Sequence, residues 1–112
     1  MKPEDFALGT ARVEFWELDR LRLSAPMDEQ IDELKEDLAQ VRFGEDIVLD
    51  VGWYRSLPPA GRFVVYVIAR GDWSNPAFQG DAVALDELVA LIREATECSK
   101  SLSDGGPIQH RQ

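Results

Sequence analysis

The sequence has one cysteine, Cys98, and one histidine, His110. A single thiol excludes an internal disulfide and therefore a disulfide-built secreted scaffold, so a reducing cytoplasm is the expected setting. No Cys/His set has metal-ligand spacing, and no glycine cluster forms a phosphate loop before a helix, so no metal or other cofactor is expected. Bases are scarce: 12 Lys and Arg face 21 Asp and Glu, a net charge of −9. Such a field disfavours nucleic acid and anionic membranes as partners and suits a basic protein, although acidity also serves solubility alone. The longest apolar run, Phe63 to Ala69, is far shorter than the ~20 residues of a membrane span. The opening MKPEDFALGT has no apolar core of the signal-peptide kind.

The remaining features describe one ordinary domain. The chain has 112 residues, 45% apolar and 29% charged, and a domain of this size buries roughly 65% of its unfolded surface. Residues 1–10 form a lead-in, and 12–23 favour a strand because aromatic and β-branched residues are dense there, although a helix also fits. From Ser24 a helix is expected, with Met27, Ile31, Leu34, Leu38 and Val41 on a stripe about 80° wide and Gly44 at its end. Ile47 to Tyr54 alternates as a strand: Ile47, Leu49, Val51 and Trp53 point one way, and Val48, Asp50, Gly52 and Tyr54 the other. Residues 56–61 carry turn chemistry, and Arg62 to Arg70 reads as a covered central strand pairing with the first. Leu85 to Glu97 is a second helix whose Glu87 supplies half a capping box at Ala84. The expectation is an α+β two-layer domain over 1–98, an antiparallel sheet with two helices in the order β-α-β-β-α, followed by a flexible tail over 99–112.

Catalytic groups are hard to find. His110 lies in the tail, and Cys98 closes the second helix with no histidine nearby in sequence. The paired carboxylates crowd an exposed face and line no cleft, so no catalytic residue is expected. Two features suit binding instead. The first is the acidic face of the expected helix: Asp28, Glu29, Asp32, Glu33 and Glu36, with Asp37 on its flank and Lys35 as the lone counter-charge. Four like-charge pairs at i, i+4 would cost about 1–2 kcal/mol in all, which raises a partner-facing role beside a merely solvated one. The second is ARGDWSNPAF, residues 69–78. Its Arg-Gly-Asp needs an extracellular loop tip to serve as an adhesion motif, and nothing else in the chain is extracellular. Gly71 and Pro76 end a strand there, leaving Asp72 and Trp73 at a sheet rim, with Trp53 or Tyr54 expected nearby; an exposed tryptophan there is either a core lid or an interaction anchor.

The stretch Ile47 to Glu97, through Gly52-Trp53-Tyr54, Gly61, Asp72-Trp73 and Asn75-Pro76, resembles the small bacterial immunity proteins of contact-dependent and polymorphic toxin systems. The resemblance implies a cytoplasmic protein that binds a cognate toxin domain, often a basic nuclease, and neutralises it without cofactor or turnover. On that reading the acidic helix outside the resemblance, with Asp28, Glu29, Asp32, Glu33 and Glu36, would steer and hold a basic partner, and Trp53, Tyr54, Asp72 and Trp73 would complete the partner-binding set. The other reading of the same chain is a small acidic regulatory or adaptor domain, or an enzyme subunit whose site lies mostly on another chain.

Overall fold

The two segments richest in β-branched and aromatic residues pair along their full length. In the computed structural model, which describes residues 1–55 and 61–104, β3 (Ile47–Tyr54) runs antiparallel to β4 (Arg62–Ala69), with Ile47 opposite Ala69 and Tyr54 opposite Arg62. Three shorter strands extend this hairpin: β1 (Arg12–Trp16), β2 (Ala39–Phe43) and β5 (Phe78–Ala82). Together they form a five-stranded antiparallel meander in chain order, β1-β2-β3-β4-β5. The helix α1 (Leu85–Ser103) crosses one face and packs against β2 to β5. The molecule is therefore a small α+β domain, and α1 is its one α-helix among the described residues.

The core lies between that face and α1. Val41, Leu49, Val51, Phe63, Val65 and Val67 from the sheet meet Leu85, Leu88, Ile92 and Ala95 from the helix, all buried. The lead-in contributes too: Phe6 and Leu8 are buried in the same cluster, and the Trp16 indole donates to the Met1 carbonyl at 2.9 Å.

The helix expected from Ser24 to Phe43 does not form. Met27–Glu33 is a run of 3-10 turns, and Ala39–Phe43 is strand β2. Leu34, Leu38 and Val41 still reach the core, which explains why their spacing misleads. Two causes favour the observed structure. The like-charge pairs at i, i+4 penalise an α-helix. Gln30, 1% exposed, also ties the turns to the preceding loop. Its Oε1 accepts from the Arg22 amide at 2.6 Å, and its Nε2 donates to the carbonyls of Arg22 and Ala25 at 2.9 and 3.1 Å. Gly44 is left-handed, with φ +64°, but it begins the β2–β3 hairpin turn rather than capping a helix.

The other boundaries also differ from the sequence expectation. The first strand stops at Trp16 and is followed by a 3-10 turn, Leu18–Arg20. β5 is an addition. The helix continues past Glu97 to Ser103, with Ser99 buried and its Oγ donating to the Ala95 carbonyl at 2.8 Å. Residues 99–103 thus belong to the domain. The proposed turn over 56–60 and the tail from 105, with His110, lie outside the described residues.

Candidate functional site

Strand alternation sends a second set of side chains to the face opposite α1, and no helix covers that face among the described residues. Its central row runs across three strands: Gln40 on β2 faces Asp50 on β3, and Asp50 faces Tyr66 on β4. Asp50 is only 7% exposed. Its one hydrogen bond among the described residues comes from Gln40, whose Nε2 donates to Oδ2 at 3.1 Å. Burial raises the Asp50 carboxyl above its ordinary pKa; the Gln40 hydrogen bond works the other way, and the nearby Asp37 charge adds to the rise.

Asp37 and Glu36 arrive there through an irregularity in the sheet. The Leu38 amide donates to the Val51 carbonyl at 2.9 Å, and the Trp53 amide donates to the Lys35 carbonyl at 2.9 Å. Glu36 and Asp37 bulge out between these two bonds. The bulge presses its backbone onto Gly52, where any Cβ would collide with the Glu36 carbonyl. Tyr54 lies beside this group. Its phenol is raised above the ordinary value by burial first, then by Asp50, Tyr66, Glu36 and Asp37. Among the described residues, none of the charges that shift Asp50 or Tyr54 is positive.

Two cations of this face have partners of their own, while Arg70, at the Trp73 end, has no ion pair among the described residues. Arg42 Nε lies 3.1 Å from Glu14 Oε2, and Arg42 also donates to the Glu45 carbonyl. Arg62 pairs with Asp81 at 3.4 Å. Arg12 and Arg42 together hold the Glu14 carboxyl below its usual range through hydrogen bonds.

Trp73 stands at the end of the face nearest the β2–β3 turn. It is 52% exposed and meets Tyr66 edge-on, with ring centroids 6.1 Å apart. The turn that delivers it has φ +54° at Arg70 and +70° at Gly71, and the Asp72 amide donates to the Ala69 carbonyl at 3.1 Å. This is a type I′ turn, in which a left-handed arginine costs about 1–2 kcal/mol. The Arg-Gly-Asp letters therefore belong to a tight β-turn, with Ser74 Oγ donating to Asp72 Oδ1 at 3.0 Å. An open hollow of about 490 Å³ lies beside Trp73, floored by Val48 and Ile68 and edged by Gln40, Arg42 and Arg70. Gln40 and Tyr66 make the hollow and the Asp50 row one continuous surface.

The structure divides the residues singled out from the sequence. Tyr54, Glu36 and Trp73 belong to the open face, and Asp72 lies in the turn at its end. Trp53 does not: it is 5% exposed on the helix side of the sheet, its indole against Gly61 and under the Arg55 guanidinium at 5.3 Å. Nor does Trp73 approach Trp53 or Tyr54, which lie at the opposite end of the β3–β4 hairpin. Asp28, Glu29, Asp32 and Glu33 sit on the 3-10 turns, away from Glu36, and form no continuous helical face. Asp50, Gln40 and Tyr66 are the additions. Alternation already placed Asp50 with Gly52 and Tyr54, but the row across the sheet appears only with the register.

Other chemistry is sparse. Cys98 is half-buried, and burial raises its thiol pKa, which disfavours the nucleophilic thiolate. Among the described residues, no group of three or more His, Cys, Asp or Glu side chains is placed to hold a metal ion, and no helix is long and apolar enough to cross a membrane. No protein-family model matches the chain, and no curated protein or solved structure matches it significantly.

Proposed function

We propose that the protein is a stoichiometric inhibitor of the immunity type, which binds a basic toxin domain through the open face of its sheet and performs no turnover. The carrying observation is the open face itself: a half-exposed tryptophan braced on Tyr66, continuous with the Gln40–Asp50–Tyr66 row and the Glu36–Asp37 bulge beside it. An aromatic anchor beside a hollow is the usual centre of a protein interface. The net charge of −9 adds long-range attraction for a basic surface and speeds encounter above the ~10⁵–10⁶ M⁻¹s⁻¹ of neutral pairs.

The test is titration against the purified toxin domain encoded beside the gene, at low and high salt. A one-to-one complex and loss of toxin activity are expected. Trp73→Ala should weaken the complex at least tenfold while the fold still melts cooperatively. Glu36→Lys should slow association more than Asp32→Lys, because Glu36 alone of the two lies on the face. A complex whose affinity ignores Trp73, or no complex at all, would overturn the proposal.

A further inference from the structure

We infer that Asp50 is the anchor of the open face and receives one arginine side chain from the protein partner, between Tyr66 and the Glu36–Asp37 bulge. The inference rests on the binding role proposed above and deepens it by naming the recognised group. It begins from an imbalance. A buried carboxylate is ordinarily paired with a cation or held by several donors, because leaving water is costly. Asp50 is more than nine-tenths buried and has a single donor, Gln40. Of the cations on the neighbouring strands, Arg42 is hydrogen-bonded to Glu14, and Arg62 lies 3.4 Å from Asp81, its Nε forming no hydrogen bond among the described residues. The groups facing Asp50 are instead Gln40 on β2, Tyr66 on β4, Tyr54 on its own strand and the acid Asp37, with Glu36 next along the bulge beside Tyr54. Among the described residues, Asp50 thus has no cation paired with it, on a face that no helix covers.

A guanidinium suits this place better than an ammonium. It is planar, more weakly hydrated and able to stack against aromatic rings while bonding a carboxylate edge-on. Among the described residues, neither Asp50 Oδ1 nor Gln40 Oε1 accepts a side-chain hydrogen bond, Nε2 being the Gln40 atom turned to Asp50. Two acceptors on adjacent strands and two phenols thus surround one position. A charge pair completed at the centre of an interface, with water excluded, acts on the dissociation rate more than on encounter.

The experiment has two arms. In the first, N-acetyl-arginine methylamide is titrated into the isolated protein at low ionic strength and followed by NMR. Saturable shifts are expected at the Gln40 side-chain amide, the Asp50 carboxyl carbon and the Tyr66 ring. Asp50→Asn should reduce that affinity about tenfold, and the lysine analogue should bind more weakly than arginine. Asparagine preserves the shape of the site, and a thermal melt of the variant checks its fold. Shifts confined to residues 28–33, or equal binding by Asp50→Asn, would overturn the inference. In the second arm, Asp50→Asn and Trp73→Ala are compared against the toxin domain. Faster dissociation of the Asp50→Asn complex by about a hundredfold supports the anchor. Weakening by Trp73→Ala alone leaves the binding face standing and removes the arginine anchor; weakening by neither removes both.

Discussion

Gly52→Ala is a severe test of the geometry that brings Glu36 and Asp37 over the sheet. In a strand interior, replacing glycine with alanine ordinarily stabilises, by about 0.4–1 kcal/mol through the unfolded chain. At Gly52 the new Cβ would meet the Glu36 carbonyl, a backbone atom that cannot rotate away. The bulge must lift, which strains the Leu38-to-Val51 and Trp53-to-Lys35 hydrogen bonds. Those bonds contribute ~0.5–1.5 kcal/mol each. After the alanine gain is subtracted, a net loss of about 1–2 kcal/mol is expected, or a fall of about 5–15 °C in melting temperature for a domain of this size. Thermal melts and urea unfolding measure it, and hydrogen exchange at the Leu38 and Trp53 amides locates it: both should exchange faster. Gly71→Ala is the control, because no atom stands near its Cβ position and only the left-handed backbone opposes it, at about 1–2 kcal/mol. A Gly52→Ala variant that melts higher than the wild type, with unchanged exchange at Leu38 and Trp53, would refute the placement of the bulge.

Two further outcomes follow from the same geometry. Burial raises the Asp50 carboxyl above its ordinary value of 3.8, so folding favours the protonated form. That stabilising contribution is fully present below the unfolded-chain value and is lost as the pH rises through the raised native one. Asp50→Asn should therefore gain on the wild type in melts at pH 7, and the gap should close towards pH 3.5; a gap independent of pH would contradict it. The last turn of α1 makes the second prediction: Leu102 packs against the core, and the Asp104 amide donates to the Lys100 carbonyl at 3.0 Å. A chain ending after Lys100 should melt about 4–8 °C below one ending after Asp104, for ~1 kcal/mol of lost burial; equal melting temperatures would show that Leu102 contributes nothing.

Alternation carried the sequence reading where residues are strongly β-forming. β3 and β4 were legible, and so was the division of β3 into an inward set with Trp53 and an outward set with Asp50, Gly52 and Tyr54. Placing Trp53 among binding residues contradicted that division, and the structure follows the alternation. Between Met27 and Phe43 two patterns overlapped. The three- and four-residue spacing of Met27, Ile31, Leu34, Leu38 and Val41 reads as a helix, while Ala39, Val41 and Phe43 alternate as β2 does. The stacked like charges were evidence against the helix, and giving them more weight would have separated the two patterns. β5, FQGDA, carries glycine and aspartate and no β-branched residue; its pairing with β4 is what makes it a strand. The Gln40–Asp50–Tyr66 row joins residues from three strands, so it depends on register that no single segment contains.

The meander has a consequence for synthesis. Every strand pairs with its neighbour in sequence, so the sheet is assembled from local hairpins in the order in which they leave the ribosome. The helix that covers its apolar face is made last among the described elements. Between Ala82, the end of β5, and Ser103, the end of α1, translation at ~5–20 residues per second takes about 1–4 s. Until α1 is complete, Val41, Leu49, Val51, Val65 and Val67 have no helix to cover them. A nascent or nicked chain that stops before α1 thus keeps a bare apolar face, adhesive to any hydrophobic surface it meets.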